Sequence, residues 1–202
     1  MIISHKSKYI FVHIPKTGGI SIEHQFNDSD AMVYTCRGVS WSISDKLKHA
    51  SCAHIKRMVG VQAYNEYYKW AIVRNPFDRV ISAWWHALQI RKYENITFRQ
   101  FITADNTYRW LKDNQYDMVH IDGVLNCDVY RYEIGLDEIV KKVSVIINQN
   151  DPTFPLMDKL VKFEKSGYRK DRRHYRDVID TECRKYIEQM YKKDLEAFGY
   201  EW

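Results

Sequence analysis

The chain has 202 residues, of which 45% are hydrophobic and 14% aromatic, and its 31 basic and 26 acidic residues give a formal net charge of +5. This composition excludes a disordered chain. The net charge is mild, and the sequence has no dense basic stripe of the kind found in nucleic-acid-binding proteins. The charge suits a polyanionic cofactor or an acidic substrate, and an ordinary basic surface is equally compatible with it.

The first predicted element is a buried strand from Lys8 to Ile14, which leads through a Gly-rich turn into a helix at Ser21. Such a turn can point successive backbone N–H groups at a phosphate. Lys16 adds a full charge, and Thr17 and Ser21 add hydroxyl groups. In the nucleotide-kinase loop G-x-x-x-x-G-K-[ST] the lysine follows the glycines, whereas here it precedes them, so we expect phosphate binding without a standard ATP site. The alternative is a simple strand–turn–helix junction with a solvated lysine.

A second strand is predicted from Tyr68 to Val73, followed by a helix from Phe77 to about Ile90. Arg74 directly follows the strand, which is where open α/β sheets bind ligands. Ser82 lies on the next helix, within reach of the side that Arg74 faces. An Arg fork with a hydroxyl predicts a second phosphate site.

The other segments complete an α/β pattern of strands separated by helices. We expect an irregular stretch at 27–44 and further elements at 50–58 (helix), 97–104 and 107–112 (weak helices), 129–133 (strand), 137–147 (helix) and 180–198 (long terminal helix). This order predicts a central parallel sheet flanked by helices, with a P-loop-like strand–loop–helix. No linker indicates a second domain, so one domain over residues 1–202 is predicted.

Taken together, the two phosphate segments resemble the sulfotransferase superfamily, in its carbohydrate-type branch with short bacterial and viral members. Residues 15–21 resemble its 5′-phosphosulfate loop, P-K-T-G-G-T-S, and residues 74–84 resemble its 3′-phosphate motif, R-N-P-x-D-R-x-x-S. The similarity continues to the C-terminus and is weakest over residues 87–125. Ile20 departs from the pattern, because a Thr is usual there.

The resemblance implies an enzyme that moves a sulfuryl group from 3′-phosphoadenosine 5′-phosphosulfate (PAPS) to an acceptor hydroxyl, on a carbohydrate by analogy with this branch. No metal is expected, because Arg, Lys and backbone donors are available for the two phosphates and no carboxylate cluster suggests Mg²⁺. The implied donor-binding residues are Lys16, Thr17, Gly18, Gly19, Ile20, Ser21, Arg74 and Ser82, together with Ser166 and Arg169, which resemble a late cofactor-clamping loop. A solvated charge run is the alternative for the last two. Tyr108 and Trp110 are candidates for an acceptor wall of aromatic rings.

Two catalytic residues follow from the same resemblance. Residues 48–56 resemble the family segment K-H-x-T-A-x-x-I-K, which makes His49 the candidate base, with a pKa near that of imidazole. Glu23 is the alternative base, and His54 is expected at the surface. Lys16 is the expected stabiliser of the charge that develops on the leaving phosphate oxygen.

Two rival functions remain open at this point: a nucleotide-dependent kinase, and a non-catalytic carbohydrate- or nucleotide-binding protein on the same fold. The kinase is disfavoured by the loop order, and the intact candidate residues argue against a decayed enzyme. The four cysteines have no metal-binding spacing and favour reduced thiols. Neither a signal peptide nor a membrane-spanning run is recognisable, which predicts a cytoplasmic protein.

Overall fold

The computed structural model describes residues 1–26, 31–33, 47–89, 95–103, 113–161 and 173–202. Several predicted site residues lie outside these ranges, namely Tyr108, Trp110, Ser166 and Arg169, as does Cys36, one of the four cysteines. The chain divides into two compact units, and each unit is built from two separate stretches of sequence. The first contains residues 1–73 and 117–164, and the second contains residues 74–116 and 165–202.

The first unit contains a five-stranded sheet flanked by helices, which confirms the predicted α/β class. Its strands are β1 (Ile2–Ser4), β2 (Tyr9–Val12), β3 (Ala31–Val33), β4 (Tyr68–Val73) and β7 (Asp128–Arg131). They are ordered β3-β1-β2-β4-β7. A separate hairpin joins β5 (His120–Ile121) and β6 (Val124–Leu125).

The sheet is mixed, because β2, β4 and β7 pair in parallel while β1 pairs antiparallel with both β2 and β3. The antiparallel edge was not predicted. Only four residues, 5–8, separate β1 from β2, and a parallel crossover needs a dozen or more. Since β2 and β4 are adjacent and parallel, they end at the same edge of the sheet, with Val12 paired to Ala71.

The described part of this unit contains the helices α1 (Gly19–Gln25), α2 (Cys52–Val59), α3 (Val61–Glu66) and α7 (Leu136–Asn150). The sequence did not predict α3, and the other three lie close to their predicted positions. Ser51 caps α2 by accepting a hydrogen bond from the His54 N–H, which explains why that helix begins later than expected. The core packs the β-strands against α1 and α7 through Phe11, Ile22, Trp70, Ile139 and Val143, among others.

The second unit is helical in its described part. It contains α4 (Pro76–Leu88), α5 (Phe98–Thr103), α8 (Thr181–Met190) and α9 (Lys192–Phe198), and α6 (Gln115–Val119) begins in it. The predicted single terminal helix is wrong in one respect, because it is interrupted at Tyr191, whose φ of −112° and ψ of 27° are not helical. The stripe of apolar residues keeps the same spacing across this one residue, so the sequence could not show the break. Among the described residues, no helix is long and apolar enough to cross a membrane.

Candidate active site

The predicted phosphate loop directly follows β2. Lys16 has a positive φ of 68° and Gly18 a φ of 82°, so the chain turns sharply before α1 begins at Gly19. The Lys16 side chain is half-buried at this turn. A left-handed lysine is uncommon and costs of order 1 kcal/mol or more, which marks the loop as a place where backbone direction matters.

The two glycines of the loop are both required by geometry. A Cβ atom on Gly19 would lie 2.2 Å from Cδ2 of His13, and one on Gly18 would lie 2.9 Å from Cδ1 of Leu136. Gly18 also has the left-handed conformation that side chains disfavour. The loop can therefore approach its neighbours closely only with glycine at both positions, as a backbone cradle for phosphate requires.

The two hydroxyl-bearing residues of the loop, Thr17 and Ser21, are buried. Thr17 is fully buried, and its hydroxyl donates to the Ile14 carbonyl at 2.8 Å. Ser21 is also buried, while Ile20 is half-buried. In this arrangement the Thr17 side chain holds the loop together through its hydrogen bond to the Ile14 carbonyl.

The candidate base, His49, is hydrogen-bonded to the backbone of His13, which lies just before the loop. Its Nδ1 lies 2.7 Å from the backbone carbonyl of His13, and the two imidazole rings meet edge to face at 4.5 Å. Because a carbonyl can only accept, Nδ1 carries the proton and Nε2 keeps the lone pair. Burial lowers the pKa of His49 well below 6.5, which corrects the expected value near that of imidazole. The ring is therefore neutral near pH 7 and able to accept a proton.

Glu23, the alternative base, lies in a buried cluster of charges. Its Oε1 accepts from the Met1 ammonium at 2.8 Å and contacts Nδ1 of His13 at 2.6 Å, and its Oε2 lies 3.6 Å from the Lys48 ammonium. Burial alone would raise the pKa of this carboxyl, but these partners outweigh it and hold the pKa well below its usual range. A carboxylate so stabilised is a weak proton acceptor.

The other two histidines of this region, His13 and His54, each contact a neighbouring side chain. Burial lowers the pKa of His13 to about 4, so its ring is neutral and its Nδ1 donates to Glu23. His54 is exposed, and its Nδ1 lies 2.9 Å from the Ser51 hydroxyl at the start of α2. The expectation of a surface position for His54 is confirmed.

Arg74, in the second predicted phosphate site, is held by an acidic neighbour. Its Nε donates to Oδ2 of Asp78 at 2.9 Å, and its Nη2 contacts the same oxygen. Asn75 caps α4 by accepting from the Phe77 N–H at 3.0 Å, with Pro76 at the first helical position. Arg74 and Asp78 therefore form an oriented ion pair at the start of α4.

The backbone of Arg74 is fixed by Gln115, which is fully buried. Gln115 Oε1 accepts from the Arg74 N–H, and its Nε2 donates to the Arg74 carbonyl, both at 2.9 Å. The same Nε2 lies 3.1 Å from Oδ2 of Asp194. Asp194 is itself fully buried and lies 3.9 Å from Nη1 of the equally buried Arg79. A continuous buried polar network thus supports the Arg74 backbone.

Sequence reasoning missed this supporting network. The one usable signal was an aspartate at position 194 within the otherwise apolar stripe of the terminal helices, seven residues after Ile187. Ser82, by contrast, was predicted, and it lies half-buried on α4. Ser166 and Arg169 lie outside the described residues. Across the described ranges, no group of three or more His, Cys, Asp or Glu side chains could hold a metal ion.

Comparison with known proteins identifies the family. The model of the Sulfotransferase family matches residues 1–201, so the chain belongs to this family. No curated protein matches the sequence significantly. The α/β fold and the Gly-rich loop after β2 agree with the family assignment, and the protein is a sulfotransferase.

Proposed function

We propose that this sulfotransferase takes PAPS as its sulfuryl donor and a carbohydrate hydroxyl as its acceptor. The observation that carries the donor assignment is the loop after β2, where Lys16 and two sterically required glycines form a sharp turn of the kind that suits a phosphate. Family membership supports the same donor. The kinase and the non-catalytic binding protein are the outcomes against which this proposal is tested.

Each phosphate of the donor has its own candidate receptor. The Lys16 loop would hold the 5′-phosphosulfate, and Arg74 with Ser82 would hold the 3′-phosphate. Asp78 orients the Arg74 guanidinium through Nε and Nη2, and a charge-assisted contact with a phosphate is stronger than a neutral hydrogen bond. Gln115 fixes the Arg74 backbone from which that side chain extends.

Lys16 is proposed to act on the transition state. When bound, PAPS supplies an activated sulfuryl group whose departure leaves negative charge on a phosphate oxygen. A lysine ammonium at the loop stabilises this charge more in the transition state than in the ground state. Its left-handed backbone supports a fixed direction for the side chain at the turn.

His49 is proposed as the base that accepts the proton of the acceptor hydroxyl. The bond from its Nδ1 to the His13 carbonyl leaves the lone pair on Nε2. Its lowered pKa keeps the ring neutral and ready before the reaction. A nearby anionic donor would raise that pKa and strengthen the base. Glu23 is the weaker candidate, because three cationic or donor groups already stabilise its carboxylate.

The test is sulfuryl transfer from radiolabelled PAPS to a panel of glycans, phenols, lipids and peptides. We expect a labelled glycan with the wild-type protein and a loss of about 10²–10⁴-fold in rate with His49→Ala. His54→Ala is the matched control and should be nearly silent, because this ring is exposed and alanine keeps the backbone N–H that donates to the capping Ser51 hydroxyl. Transfer to a phenol, lipid or peptide but to no glycan would overturn the acceptor and leave the donor standing. A dead His54 variant with an active His49 variant would overturn the base.

A further inference from the structure

The buried carboxylate of Glu23 contacts both of the segments that hold the candidate base, His49. Its Oε1 accepts from Nδ1 of His13 at 2.6 Å, and the His13 carbonyl accepts from Nδ1 of His49 at 2.7 Å. Its Oε2 lies 3.6 Å from the ammonium of Lys48, the residue that precedes His49. One side chain of α1 therefore reaches the base along two routes, through His13 and through Lys48.

The position of Glu23 on α1 also joins this carboxylate to the phosphate loop. Glu23 follows Gly19 by four residues, so the two lie one turn apart on the same face of the helix. The His13 ring packs on this face, because it donates to Glu23 and a Cβ on Gly19 would lie 2.2 Å from its Cδ2. The same ring meets the His49 ring edge to face at 4.5 Å. His13 thus contacts both the loop and the candidate base.

Water has little access to this cluster, so the carboxylate depends on its protein partners. The side chains of His13, Glu23 and Lys48 are 3%, 5% and 14% exposed. The Met1 ammonium lies 2.8 Å from Oε1 of Glu23. Burial would raise the pKa of this carboxyl, but His13 and the two ammonium groups outweigh it and hold the pKa well below its usual range. A buried charge is costly without its partners, so other arrangements of His13 and Lys48 are disfavoured while Glu23 is ionised.

We propose that Glu23 is a positioning residue for His49, which it holds beside the phosphate loop through His13 and Lys48. This role rests on the proposed function, in which Nε2 of His49 accepts the proton of the acceptor hydroxyl during sulfuryl transfer. Glu23 itself exchanges no proton in that step. A base that is already held in place needs no reorientation before the step, and a small misplacement of a catalytic group costs much of the rate.

A double-mutant cycle on sulfuryl transfer tests whether Glu23 acts through His49. Glu23→Gln keeps the size of the side chain but has a single oxygen, so it cannot serve both His13 and Lys48. We expect kcat to fall by about 10–100-fold with the KM for PAPS nearly unchanged, because the loop itself is intact. Glu23→Gln combined with His49→Ala should be no slower than His49→Ala alone. Losses that multiply, as a separate structural role would give, would overturn the proposal.

A rescue variant separates positioning from direct proton transfer by Glu23. Adding Lys48→Met to Glu23→Gln removes the cation that would face the new amide and leaves the amide oxygen to His13, so part of the rate should return. If Glu23 were itself the base, no second substitution would restore the rate. Glu66→Gln, at an exposed position of α3, is the matched control and should be silent. A Glu23 variant as slow as His49→Ala and not rescued would therefore refute the positioning role.

Long-range ¹H–¹⁵N spectra of the histidine rings test the same role in the protein without donor or acceptor. Near neutral pH, the wild-type His49 ring should be a single tautomer with its proton on Nδ1. Glu23→Gln should shift the ring signals of both His13 and His49 and populate the second tautomer of His49, whereas Glu66→Gln should leave them unchanged. His49 signals that are identical in the wild type and the Glu23 variant would contradict the proposal.

These spectra also distinguish the positioning role from the proposed function. Shifted His49 signals together with no sulfuryl transfer to any acceptor would overturn the proposed function and leave the hold of Glu23 on the ring standing. If Glu23→Gln does not fold, Lys48→Met replaces it in the same spectra, because it breaks the contact with Oε2 from the other side. It should then shift the His49 signals, and unchanged signals would count against the proposal.

Discussion

Replacing Asp194 with Asn removes the negative charge of a buried ion pair while leaving the size of the side chain nearly unchanged. The Asp194 Oδ2 lies 3.9 Å from Nη1 of Arg79, and neither residue has exposed surface. The other Asp194 oxygen accepts from the Tyr116 N–H at 2.8 Å, while Oδ2 accepts from Gln115 at 3.1 Å. An asparagine has one oxygen, so it can keep only part of this set.

The expected loss of stability follows from these contacts. Arg79 would stay buried without the Asp194 carboxylate, and the single oxygen of the new amide would leave either the Gln115 amide or the Tyr116 N–H without its present acceptor. Breaking one partner of a buried ion pair costs about 3–5 kcal/mol. For a chain of this size, that corresponds to a fall in melting temperature of roughly 10 °C. Gln115 would also hold the Arg74 backbone less firmly.

Chemical denaturation followed by circular dichroism measures this loss. Glu196→Gln is the matched control, because the Lys192–Glu196 pair is 75% and 68% exposed and should contribute less than about 1 kcal/mol. Adding Arg79→Met to the Asp194 variant removes the buried positive charge as well and should recover part of the loss. An Asp194→Asn variant as stable as the Glu196 control would refute the reasoning.

Three further predictions concern the first unit. Because the pKa of His13 is about 4 in the folded protein and about 6.5 in the unfolded chain, the unfolded state binds more protons between these values. Through His13, the free energy of unfolding should therefore fall by about 3 kcal/mol as pH drops from 6.5 to 4. His13→Gln should remove this part of the slope in a denaturation series, while the part due to the lowered pKa of His49 remains. Gly19→Ala should cost about 1–3 kcal/mol, because its Cβ would overlap the His13 ring; an unchanged melting temperature would contradict the steric account. Lys16→Ala should reduce turnover at saturating PAPS more than donor affinity, and a variant with only weakened binding would make Lys16 a phosphate anchor.

Short sequence patterns predicted the strands and the helix start that position the candidate residues. The apolar runs before Lys16 and Arg74 gave the two central parallel strands, since strands buried on both faces read as continuous hydrophobic stretches. Asn75 and Pro76 similarly indicated the start of α4. These signals are local, so they were readable without knowledge of the packing.

Features that depend on distant partners were not readable in this way. Nothing local tells that Gln115 pairs with the Arg74 backbone, or that Asp194 is buried against Arg79, because the partners are 41 and 115 positions apart, as counted from their numbers. The low pKa of His49 arises from burial, which the sequence does not state. The single-domain organisation over residues 1–202 stays a prediction.

Titration calorimetry with the product nucleotide 3′-phosphoadenosine 5′-phosphate tests the donor assignment most directly. We expect it to bind about tenfold or more tightly than ADP, which lacks the 3′-phosphate, and than ATP with Mg²⁺, because one charge-assisted contact contributes about 1.5–3 kcal/mol. Arg74→Ala should abolish this preference. Equal affinity for ATP with Mg²⁺, or a preference that survives the loss of Arg74, would contradict the account.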